Sequence, residues 1–65
     1  MNIQLNRENI HIQQKTSIIE LLEHQGMNRN VAVWVNGNRL MQRDYATYFI
    51  KEGDQIRVLR PLGGG

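Results

Sequence analysis

Few side chains in this sequence could do chemistry. Cysteine is absent, which removes thiolate nucleophiles, thiolate metal sites and disulfides together. His11 and His24 stand in polar stretches without a second ligand at metal spacing, so both read as surface histidines. No paired carboxylates and no nucleophile–base set can be discerned, which argues against an independent enzyme. What remains is backbone, because the sequence closes on Leu62-Gly63-Gly64-Gly65. Glycine has no Cβ, so a run of it can thread a channel too narrow for other residues. From Arg60 the remaining residues reach up to about 20 Å, at ~3.3–3.6 Å each. The plainest reading of such a segment is a frayed terminus; the alternative is a tether that presents a carboxylate.

A tether needs a body to hold it. Sixty-five residues allow one domain and one core, since a chain of about this size buries only ~60% of its unfolded surface. Eight basic and six acidic residues give a net charge of +2. They are interspersed, whereas nucleic-acid binding wants a denser stripe. The four aromatics, one Trp, two Tyr and one Phe, are scattered among different elements and offer no stacking platform. Arg57 and Arg60 form a local basic bias, with no acidic residue after Asp54; a solvated strand face and a partner-docking face both fit it. Met1-Asn2-Ile3-Gln4-Leu5-Asn6 alternates instead of forming the apolar run of a signal peptide, and a cytoplasmic location is expected. No stretch is long enough to span a membrane.

The elements follow from spacing. Ile3 and Leu5, then Ile10 and Ile12, recur every second residue on either side of the polar turn Asn6-Arg7-Glu8-Asn9, which predicts a hairpin. Ser17 with Glu20 three residues on is a capping-box signature. Ile18, Leu21 and Leu22 then make one apolar stripe, and Gly26 is placed to end the helix, with Met27 folding back onto the core. Val31, Val33 and Val35 alternate with Ala32 and Trp34 before an Asn36-Gly37 turn. Arg39-Leu40-Met41 reads as a short returning strand, and Asp44 to Tyr48 as a single turn or a 3₁₀ segment. After a Glu52-Gly53-Asp54 turn comes the last strand, Gln55 to Leu59, in which Ile56 and Val58 share a face. Pro61 should end its pairing. The class is α+β, one helix across one face of a mixed sheet of four to five strands.

Alternation places Ala32 and Trp34 opposite the valines, and Arg57 and Leu59 opposite Ile56 and Val58. If these two strands are neighbours, the four residues make one outer surface, continued by Leu62 at the root of the tail. The alternative is an inverted strand with Trp34 in the core. Fixing three glycines costs at least ~1–2 kcal/mol each in backbone entropy, so a tail alone binds poorly. Burying a Trp removes ~150–250 Å² from water, worth about 4–6 kcal/mol, which is enough to offset that cost.

Four segments taken together resemble a known family. They are Ser17-x-x-Glu20-Leu21-Leu22, Val33-Trp34-Val35-Asn36-Gly37, Glu52-Gly53-Asp54-Gln55-Ile56 and Gly64-Gly65. Over nearly the whole chain the sequence is similar to the β-grasp, ubiquitin-like sulfur carriers, and most to the ThiS family of thiamine biosynthesis. The resemblance implies a β-grasp domain over residues 1–60 and a flexible glycine tail over 61–65. It implies that the carboxylate of Gly65 is the reactive group, with Gly63 and Gly64 as its tether. A ThiF-like adenylating enzyme would activate that carboxylate with ATP and Mg²⁺ held on the enzyme, since this chain binds no cofactor of its own. A persulfide sulfur donor would then supply the sulfur of a thiocarboxylate, used by a ThiG-like thiazole synthase. Ala32, Trp34, Arg57, Leu59 and Leu62 would meet these partners. The tail has three glycines where the family minimum is two, and the family often places a small residue where Trp34 stands. Carriers serving molybdopterin synthesis or tRNA thiolation, and ubiquitin-like protein modifiers, share the tail chemistry and stay open at this point.

Overall fold

A computed structural model describes residues 1–60. Strands β1 (Asn2–Leu5) and β2 (Glu8–His11) form the expected hairpin, paired antiparallel from Asn2 opposite His11 to Leu5 opposite Glu8. Its turn is shorter than the four residues the sequence suggests. Only Asn6 and Arg7 lie between the paired positions, with φ of 49° and 73°, the all-positive pattern of a type I′ turn, which matches the twist of the flanking strands.

Helix α1 (Ile18–His24) begins where the capping box predicts. Ser17 Oγ accepts from the Glu20 N–H at 3.2 Å, while Glu20 Oε1 accepts from the Ser17 N–H at 3.0 Å. The N–H groups of Ile18 and Ile19 donate to the carbonyls of Tyr48 and Tyr45. The first-turn donors that a helix leaves unpaired are thus satisfied by the cap and by the 45–48 loop. At the other end Gly26 adopts φ 72°. Its N–H donates to Glu23 O and that of Met27 to Leu22 O, the paired bonds of a Schellman motif. Met27 then packs on the core, as expected.

Strands β3 (Ala32–Val35) and β4 (Asn38–Leu40) are joined by Asn36-Gly37, both at positive φ. β4 starts one residue earlier than its apolar residues suggest and leaves Met41 outside. The 3₁₀ turn covers Gln42–Asp44, two residues ahead of the expected segment, because Tyr45 turns inward. Its ring is 1% exposed, and its hydroxyl donates to Val31 O at 2.7 Å. Strand β5 (Gln55–Leu59) is the expected last strand.

The sheet order is β2-β1-β5-β3-β4, with β5 parallel to β1 and antiparallel to β3. One face of this mixed sheet carries Ile3, Leu5, Val33, Val35, Ile56 and Val58, all buried. Against it lie Ile18, Leu21 and Leu22 of α1, with Tyr45 and Ile50 closing the core. One helix grasped by a five-stranded mixed sheet is the β-grasp fold. No helix among the described residues is long and apolar enough to cross a membrane.

Candidate partner-docking face

The sheet face turned away from α1 is where the candidate site residues meet. Period-two alternation turns Ala32 and Trp34 outward from β3, and Arg57 and Leu59 outward from β5. The register then puts Ala32 directly opposite Leu59 and Trp34 directly opposite Arg57. Val33 is fully buried on the other face while Trp34 is half-buried, so β3 is not inverted and Trp34 lies outside the core. Leu59 is 57% exposed. It borders two shallow hollows, one running past Trp34 and Arg57 to Asn6 and Arg7, the other past Ala32 and Arg39 to Arg60. Leu62, Gly63, Gly64, Gly65 and the expected end of pairing at Pro61 lie outside the described residues.

Arg39 completes the row and was not among the residues picked out from the sequence. It faces Trp34 from β4, opposite the side on which Arg57 stands. Its guanidinium carbon lies 5.1 Å from the indole centroid, within the range of a cation–π contact. The signal was present in the sequence. A two-residue turn at Asn36-Gly37 fixes the hairpin register, and counting back from it sets residue 39 against residue 34.

The hollows are electrostatically one-sided. Arg7, Arg29, Arg39, Arg57 and Arg60 line them, and no Asp or Glu does. Arg57 and Arg60 therefore belong to a larger basic surface than their own strand suggests.

A polar cluster at the start of β5 holds the face in place. Asp54 is 6% exposed. Its carboxylate accepts from Asn36 Nδ2 at 3.0 Å, from the Tyr48 hydroxyl at 3.2 Å and from the Lys51 N–H at 2.9 Å. Asn36 Oδ1 in turn accepts from the Gln55 N–H. Burial, followed by the negative charge of Asp54 and the hydrogen bond to it, pushes the Tyr48 hydroxyl above its ordinary pKa. These bonds tie the β3–β4 turn to the entry of β5, which fixes the register of Trp34 against Arg57. His11 and His24 are both exposed, and His11 Nδ1 lies 3.0 Å from Asn2 Oδ1. Among the described residues no three His, Cys, Asp or Glu are grouped to hold a metal ion.

The comparisons with known proteins agree with the architecture. The chain is similar over its whole length to the crystal structure of a thiamine biosynthesis protein (ThiS) from Geobacter metallireducens, at 26% identity and a TM-score of 0.85, covering 100% of both chains. An NMR solution structure of a thiamine biosynthesis protein from the same organism gives 26% identity and a TM-score of 0.80, over 100% of this chain and 88% of that one. No curated protein matches significantly. The ThiS family model matches residues 2–65. With that match extending through the glycine segment, the chain belongs to the ThiS family of sulfur carriers.

Proposed function

We propose that the chain carries sulfur for thiazole formation in thiamine biosynthesis as a thiocarboxylate on Gly65, and that it is a co-substrate of partner enzymes. A carboxylate does not exchange oxygen for sulfur unaided, because oxide is a very poor leaving group. Adenylation by a partner using Mg-ATP would join the Gly65 carboxylate to AMP with loss of pyrophosphate. A persulfide sulfur would then displace AMP, and cleavage of its S–S bond by a thiol would leave the thiocarboxylate. The chain's own part is to bind the partner and to deliver an unhindered terminus.

The observation that carries the reading is the family match through residue 65, in a chain with no cysteine to hold sulfur in any other way. The outer face supports it, since Leu59, opposite Ala32, borders the same hollow as Arg60, the last described residue before the glycine segment in sequence. The direct test is intact-protein mass spectrometry after incubation with the cognate adenylating enzyme, Mg-ATP and a persulfide donor. A gain of about 16 Da is expected, one oxygen exchanged for one sulfur. An unchanged mass together with active ATP–pyrophosphate exchange would point instead to a modifier conjugated through an amide bond.

A further inference from the structure

We propose, resting on the carrier reading above, that the adenylating partner meets this face with an acidic surface, and that Arg39 and Arg57 on either side of Trp34 are the residues that read it. The first observation is the distribution of charge. The net charge is only +2, yet five of the eight basic residues line two adjoining hollows that no Asp or Glu among the described residues lines. Of the six acidic residues, Glu20 and Glu23 ride on α1, Glu52 and Asp54 precede β5 at the end remote from Leu59, Glu8 begins β2 and Asp44 ends the 3₁₀ turn, and none of them lines either hollow. The face is thus strongly positive on a nearly neutral molecule, and opposite charge on a partner is what such a field attracts.

The second observation is how the central row is built. Strand register places Arg39, Trp34 and Arg57 side by side across three strands. The Arg39 guanidinium carbon lies over the indole, 5.1 Å from its centroid. A guanidinium carries five N–H donors in a planar fork, so one held near an aromatic ring can still offer donors to a carboxylate in the bidentate geometry that a Lys ammonium lacks. The contact also restricts a flexible side chain before the partner arrives, and this lowers the entropy lost on binding. An apolar centre at Trp34, Ala32 and Leu59 with charged donors around it has the layout of a protein interface, core within rim. Single-stranded nucleic acid is a poorer fit, because binding it needs bases stacked on exposed aromatics. Trp34 is the one aromatic that the hollows offer for stacking, since the other bordering them, Tyr45, is buried.

The test uses the full chain and its cognate adenylating enzyme. Affinity would be measured by isothermal titration calorimetry from about 0.05 M to about 0.5 M KCl, a range that shortens the screening length severalfold. Four proteins are compared: wild type, Arg39→Gln, the Arg39→Gln/Arg57→Gln double variant and, as a control with the same charge change as the single variant, Lys15→Gln. Wild-type affinity is expected to fall about tenfold or more across the range. The double variant should bind about tenfold or more weakly at low salt and lose most of the salt dependence. Lys15→Gln, which borders neither hollow, should stay within about twofold of wild type. ATP–pyrophosphate exchange is followed in parallel.

If the enzyme adenylates the protein with an affinity indifferent to salt and to both arginines, the acidic-surface inference is overturned and the carrier reading stands. Equal losses in Arg39→Gln and in Lys15→Gln would overturn it too, by showing an effect of net charge alone. Binding to a single-stranded oligonucleotide more tightly than to the enzyme at the same salt would assign the face to nucleic acid. Failure of the wild type to bind or to be adenylated at any salt would bring down both readings.

Discussion

The side chain of Asn6 pairs with the backbone of Val58 as another strand would. Its Oδ1 accepts from the Val58 N–H at 2.8 Å, and its Nδ2 donates to the Val58 carbonyl at 3.2 Å. The β1–β5 ladder so continues past the end of β1 by means of an amide that belongs to a turn. The two groups that the amide meets are the backbone N–H and carbonyl of Val58, a buried residue of β5, where an unmet bond costs the most.

Replacing Asn6 separates this contribution from turn geometry. Asn6→Gly keeps the positive φ of 49° without strain and should destabilise the fold by about 1–3 kcal/mol through the two lost bonds. Asn6→Asp can still accept from the Val58 N–H but sets a carboxylate against the Val58 carbonyl, and should cost at least as much. Urea titration followed by Trp34 fluorescence would measure both. A Gly variant as stable as wild type would show that the amide contributes nothing to the ladder.

At the helix start, Ser17→Ala should cost about 0.5–2 kcal/mol, the range for loss of an N-cap. Glu20 carries the pH dependence of the same motif. Hydrogen bonds from the Ser17 backbone and then from its hydroxyl hold the Glu20 carboxyl below the usual glutamate range, with a smaller contribution from His24. A folded-state pKa below the unfolded one gives stability that is complete above the unfolded pKa and is lost as pH falls through the folded one. Chemical denaturation between neutral and acid pH should therefore show this component in wild type. It should be missing in Glu20→Gln, whose amide oxygen can still accept but does not titrate.

On the outer face, Trp34→Ala or Leu59→Ala should weaken binding to the adenylating enzyme by more than about 1 kcal/mol. Thermal melting should stay cooperative, because Trp34 is half-buried and Leu59 exposed. Unchanged affinity in both variants would remove the face from the interface.

The tail prediction is chemical. Deleting Gly65 shortens the reach by ~3.3–3.6 Å and should slow thiocarboxylate formation strongly, since a misplacement of even ~1 Å can cost about a hundredfold. Partial activity is compatible with the mechanism, because Gly64 would then offer an equally unhindered carboxylate. Removing Gly64 and Gly65 together should abolish the mass gain while the melting temperature is kept. Undiminished thiocarboxylate in that double deletion would place the reactive group elsewhere.

What the sequence made legible was local. The Ser17–Glu20 box, the Gly26 stop and the alternation from Val31 to Val35 each depend on neighbours a few residues apart, and each stands where it was expected. Sidedness was also readable, since Trp34 and Arg57 face outward for the same reason that Val33 and Val58 face inward. Asp54 shows the limit. Read only as part of a turn, it is buried, with Asn36 reaching its carboxylate from 18 residues away, and no periodicity encodes that meeting. Tyr45 was hidden differently, in a segment too short and mixed for a pattern, where a buried ring needs only one carbonyl within reach of its hydroxyl. Arg39 beside Trp34 could have been counted from the turn. The adjacency of β1 and β5 was a matter of topology, which alternation does not address.

That central β5 has a consequence for how the molecule is made. A nascent chain halted before Gln55 holds two hairpins, β2-β1 and β3-β4, with the gap between them still empty. Contacts such as Asn6 to Val58, 52 residues apart, make folding wait on the end of synthesis and make it slow for so small a domain. The ribosome adds the glycines only after the strand that closes the sheet. A product cut short before Gln55 therefore lacks both the strand that closes the sheet and the terminal glycines, and on the proposed reading an enzyme that requires the two together would pass it over.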